Sequence, residues 1–185
     1  MKLKIILLIL LTTLLLVPTH SVLAAEARIQ DVVVTNSSTD LLLYLKVLDA
    51  FSPEILSGVN NGLPLTFSYQ ISLEMLRSGW FNKEIYSGSV DYTLVYDSLK
   101  KEYSVLGLTK ENKFTTTDLA EAQRHMVNLN GISIVPLTSL EPDRQYILKV
   151  RVVLDKKSLP FNFNYLIPFS FWNLETDWYS VDFRY

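Results

Sequence analysis

There is no cysteine among the 185 residues. This excludes disulfide staples, thiolate catalysis, sulfur-ligated metal centres and lipid attachment at an N-terminal Cys, so stability has to come from packing. Histidine is scarce: His20 and His125 are the only two, with no H-E-x-x-H and no run of aspartates at calcium-loop spacing. No metal site is expected from that set. Six glycines offer no phosphate-cradling loop, and neither G-x-S-x-G nor S-x-x-K occurs. The usual parts of nucleotide chemistry and acyl transfer are therefore missing, and the reading is a chain with no catalytic residues and no cofactor. A concentrated basic patch is lacking too, which argues against a nucleic-acid or anionic-lipid surface. No fixed-period repeat or low-complexity tract is seen, so neither an array nor a second module is expected.

The long apolar run that does occur is at the start. Lys2 and Lys4 precede Ile5–Leu11 and Leu14–Val17, followed by Pro18 and the small-residue site Val22-Leu23-Ala24. A basic end, an apolar stretch shorter than the roughly 20 residues a span requires, and a small residue at the cleavage position predict a secretory signal peptide over 1–24. A retained anchor helix is the alternative. Removal of 1–24 leaves residues 25–185, 161 in all, a length suited to one domain with a full core. The processed chain keeps 15 basic against 19 acidic residues, a net charge near −4. It is expected in the periplasm, with no membrane anchor after processing.

Period-two alternation dominates that domain. Leu65, Phe67, Tyr69, Ile71, Leu73 and Met75 alternate with polar residues and predict a strand with one buried face. Tyr86, Val90, Tyr92, Leu94 and Tyr96 predict a second strand forming a hairpin with the first. Gly88 interrupts the second set where a bulge would fit, and Asp97-Ser98 turns the chain toward Tyr103-Ser104-Val105. Tyr146–Leu154, apolar on one face and mixed on the other, predicts a central strand. Upstream, Ile29–Thr35 and Leu41–Leu48 flank a polar turn. Ser52-Pro53 can open a short helix that ends at Asn61-Gly62, and a longer helix is expected over Asp118–Leu129, with Asp118 and Glu121 as a capping-box variant and Asn130-Gly131 as its stop. His125, one position off that helix's apolar face, reads as a boundary or surface residue.

Leu140-x-Pro142-x-x-x-Tyr146 places a tyrosine at the start of the central strand after a Pro turn. In immunoglobulin-like and fibronectin type III sandwiches such a tyrosine bonds back to the preceding backbone and pins the crossover between sheets; elsewhere the pattern is an ordinary buried Tyr. The expected fold is mainly β: a single-domain immunoglobulin or fibronectin-III-like antiparallel β-sandwich with one or two short helices.

Ten aromatics lie between Phe161 and Tyr185, and most are expected in the core. Trp172 and Trp178, near turn-like Asn173 and Asp177, are candidate surface anchors. Trp80, Phe81, Trp172, Asp177 and Trp178 are the candidate partner contacts, because turns free side chains from core packing. The expected role is a non-enzymatic binding or accessory domain that meets a protein partner in the cell envelope. Two alternatives stand beside it. Tyr179, Val181, Phe183 and Tyr185 alternate as the last strand of a small outer-membrane β-barrel does. Two carboxylates across a cleft could hydrolyse cell-wall glycan, although Glu74, Asp91, Asp97, Asp143 and Asp155 sit in turns or on polar faces where solvation is their ordinary role.

Four segments carry a resemblance: Leu63-Pro64-Leu65-Thr66-Phe67; Tyr92–Leu99 with Tyr103-Ser104-Val105; the Tyr146–Leu154 strand followed by Leu159-Pro160; and Trp172-Asn173-Leu174-Glu175-Thr176-Asp177-Trp178. In this order, behind a signal peptide, they resemble the bacterial domain-of-unknown-function family 4390 over roughly Ile29–Trp178. The resemblance implies an exported single-domain protein with no assigned activity and transfers no catalytic residue. Some relatives are encoded beside membrane sensor kinases, which implies an envelope signalling or assembly accessory. The extension from Tyr179 to Tyr185 departs from that pattern.

Overall fold

The computed structural model describes residues 26–107, 113–155 and 174–185. The leader 1–24 and Trp172 lie outside the described residues. In chain order the elements are β1 (Arg28–Asn36), β2 (Asp40–Leu48), α1 (Pro53–Asn60), β3 (Leu65–Met75), β4 (Lys83–Asp97), β5 (Glu102–Leu106), β6 (Lys113–Thr116), α2 (Leu119–Val127), β7 (Asn128–Pro136), β8 (Gln145–Leu154) and β9 (Tyr179–Arg184), with a 3-10 turn at Leu137–Ser139 before β8.

The strands form two antiparallel sheets, β1-β2-β7 and β6-β5-β4-β3-β8-β9. β3 buries every odd residue from Leu65 to Met75 and β8 every even one from Tyr146 to Leu154, while Leu41, Leu43, Leu45 and Val47 of β2 face them from the smaller sheet. These side chains meet in one core, joined by Ile55 and Val59 of α1 and by Ala122 and Met126 of α2. Each fully buried Leu, Ile or Phe contributes about 1.5–3 kcal/mol, so the alternation sets which face turns inward. The result is a small β-sandwich. Its tyrosine corner and the order β9-β8-β3-β4 are similar to the layout of immunoglobulin-like sandwiches.

The corner is present in atomic detail. Tyr146 is fully buried; its hydroxyl accepts from the Glu141 amide at 2.7 Å and lies 3.3 Å from the Glu141 carbonyl, to which it donates. It fixes the passage from β7 in one sheet to β8 in the other. α2 packs on β5 and β6 as well as β7 and so spans the side where the two sheets end in β6 and β7. Tyr69 donates its hydroxyl to the Met126 carbonyl and ties that helix to β3.

Several expectations need correction. The described strands lie in two sheets with separate edges and an apolar core, not in the single closed ring of an outer-membrane barrel. The bulge in β4 falls at Ile85, between the pairs Leu73↔Tyr86 and Glu74↔Glu84, whereas Gly88 pairs in register with Ile71. The Tyr86 ring folds over Gly88: a Cβ there would stand 2.5 Å from the Tyr86 hydroxyl, so a larger residue would have to displace that ring. The second helix ends at Val127, and Asn128 begins β7 at once. Leu129 is buried as expected, but from a strand. Pairing with β2 captures this segment, and Gly131, at φ 69°, sits in a bulge under Tyr44.

Candidate functional site

The side of the sandwich opposite α2 is where β1 and β9, the end strands of their sheets, approach each other. The chain reaches β9 through a deliberate misfit. Leu174 and Thr176 are buried against the second half of β8; Thr176 exchanges backbone and hydroxyl bonds with Val152, and Glu175 pairs with Val153. From there the register slips by one residue, because Tyr179 pairs with Val150. Asp177 and Trp178 therefore both stand opposite Arg151, and a bulge of this kind turns side chains out of the ladder.

Trp178 is 47% exposed, and the Arg151 guanidinium carbon lies 4.8 Å from its ring centre, within cation–π range. Arg151 is itself fixed: Nε donates to Gln70 Oε1 at 2.8 Å and NH1 to Glu175 Oε1 at 2.9 Å. The indole is thereby packed on a positioned cation. Beside it a surface groove of about 400 Å3 is lined by residues 26–29 and by Asp177, Trp178 and Tyr179. Its far wall is the first part of the described chain entering β1. The β1 edge is interrupted by a bulge at Asp31, with φ 55°, whereas β9 pairs with β8 without a break from Tyr179 to Arg184. Its outer edge is the cleaner template for a further strand.

Trp80 and Phe81 are elsewhere, at the tip of the β3–β4 hairpin, 74% and 87% exposed. Met75 pairs with Tyr146 while Trp178 stands opposite Arg151. Five strand residues, about 17 Å, and the loop itself separate the two aromatic sites. The expected contact residues thus divide into two surfaces, with Trp172 outside the described residues.

The acids noted in the sequence are engaged. Glu74 accepts from Asn82 and Lys149, which hold its carboxyl below the usual range. Asp91 accepts from Ser68 at 2.7 Å, Asp97 caps the amides of Leu99 and Lys100, and Asp143 lies 3.5 Å from Arg184. His125 is exposed on α2 and stacks on Phe114, ring centres 3.6 Å apart. Among the described residues no three His, Asp or Glu side chains are grouped closely enough to hold a metal ion, and no helix is long and apolar enough to cross a membrane. Sequence reasoning missed Arg151 and Glu175. The one available signal was an arginine on the outward face of β8, where Lys149 stands two residues before it.

Comparison with known protein families matches the chain over residues 24–182 to the family described as Domain of unknown function (DUF4390). No curated protein and no solved structure matches the chain.

Proposed function

The chain belongs to the DUF4390 family, and from that premise we propose that it is a non-enzymatic accessory domain, exported to the periplasm, which acts by protein–protein contact in the cell envelope. The observation that carries this reading is the Trp178 site: a half-exposed indole, raised on a bulge and seated on a doubly bonded Arg151, beside the unbroken edge of β9. Interface anchors have this character, a rigid aromatic with little entropy left to lose, next to backbone that can accept another strand. The exported address is supported by the basic and apolar leader followed by Ala24.

A photo-crosslinking residue placed at Asp177 in cells tests it. We expect a discrete protein adduct that falls at least tenfold with Trp178→Ala, and no such adduct from a probe at Lys46, an exposed side chain on β2, whose backbone is paired on both edges. Equal adducts at both positions, or recovery unchanged by Trp178→Ala, would count against the site. Release of sugar from purified cell wall that stops on substitution of Glu74 or Asp91 would overturn the non-enzymatic reading.

A further inference from the structure

We propose that the Trp80–Phe81 hairpin tip inserts into the interfacial layer of a phospholipid bilayer. The inference uses residues other than those of the Trp178 site and does not depend on that reading.

The tip is built to project. β3 ends at Met75, where the Leu76 amide still donates to the Gln145 carbonyl at 2.8 Å, and β4 begins at Lys83. Between them Gly79, at φ 71°, turns the chain so that Trp80 and Phe81 follow one another at the crest. Asn82 donates to Glu74 at 2.9 Å and closes the base of the loop. The two rings are thus carried on a fixed base yet are 74% and 87% exposed. Two adjacent rings this exposed at a hairpin tip can enter a deformable apolar phase together, whereas another protein would have to supply a site for both.

The surrounding charges match the layering of a lipid surface. From Leu76 to Lys83 there are two cations, Arg77 and Lys83, and no acid. The carboxylates at this end of the sheet have partners: Glu74 has Asn82 and Lys149, Glu141 has Lys83 and Arg144 at 3.5 Å each, and Asp143 has Arg184 at 3.5 Å. Glu84, exposed beside Lys83, is on the β4 side of the base. Trp prefers the headgroup boundary, Phe the acyl side, and Arg and Lys reach back to phosphates along their apolar stems. Since the domain is acidic overall, insertion of the rings and not net charge supplies most of the affinity. Salt is therefore expected to weaken binding only a fewfold.

The test uses the processed protein recovered from producing cells, with vesicles of phosphatidylcholine and phosphatidylglycerol. Trp80→Ala and Phe81→Ala should each reduce co-sedimentation by roughly tenfold, and the double variant should fall to background. Leu99→Ala is the control: Leu99 is 94% exposed at the opposite end of β4 and should bind as the parent does. Brominated acyl chains should quench the parent's fluorescence and not that of Trp80→Phe. The proposal is overturned by a parent that ignores vesicles, by a double variant that still binds, or by equal loss in Leu99→Ala. A protein adduct at the tip that needs both rings, with no vesicle binding, would reassign the tip to a protein partner and overturn it as well.

Discussion

Single side chains carry more of this fold than their number suggests. Tyr146 contributes its ring to the core and its hydroxyl to the Glu141 backbone, so one residue fixes both the dry interior and the crossover between sheets. Tyr146→Phe keeps the volume and strands the Glu141 amide. We expect a loss of about 1–2 kcal/mol, seen as a lower urea midpoint at unchanged slope, or a fall of about 3 °C in Tm per kcal/mol. The L-x-P-x-x-x-Y spacing made this residue legible beforehand, because the contact closes over only five positions. The Trp178–Arg151 pair was not legible. It joins a residue of β8 to one in the approach to β9, and the one-residue slip that brings them together has no signature in the string of letters.

At the scale of elements, the clearest strands were those with one wet and one dry face. β3 runs from Leu65 to Met75 as the alternation predicts, and α1 opens with Ser52 accepting from the Ile55 amide before Pro53. The start of α2 is more elaborate than a capping box. Asp118 accepts from the Ala120 amide, while Glu121 turns away from the Asp118 amide to meet the Thr116 hydroxyl, which in turn accepts from that amide. Thr116→Val removes the shared hydroxyl. It should destabilise the protein by about 1 kcal/mol, with hydrogen exchange accelerated first in α2 and β6, which share this junction. β6 and β7 escaped the sequence reading. β6 is four residues long, and β7 starts without a turn directly after a helix, so neither displays enough periodicity to be told apart from its surroundings.

For the molecule as a whole, the core and the alkaline stability limit are linked. Burial, with a smaller push from Tyr92, raises the Tyr69 phenol well above its ordinary value near 10; burial raises Tyr92 too, and burial with Tyr96 raises Tyr103. Below pH 10 these phenols are protonated whether the chain is folded or not. Above it the unfolded chain releases protons that the folded one retains, so stability falls as pH rises, by up to about 1.4 kcal/mol per pH unit for the fully buried Tyr69. Tyr69→Phe should therefore lower the urea midpoint at neutral pH through loss of the bond to Met126, yet flatten its decline between pH 10 and 12. An unchanged alkaline slope would contradict the assignment.

The order of apolar and polar residues by itself determined that this chain is mainly β, where its main hairpin lies, which faces turn inward and that a tyrosine guards the crossover, because each follows from burial along a few neighbouring positions. Tertiary structure alone decided which strands share a sheet, that β7 replaces the end of a helix, and that the exposed aromatics form two separate surfaces. Those outcomes depend on register between segments far apart in sequence, where a one-residue slip of the ladder changes which side chains meet and which are left to face a partner.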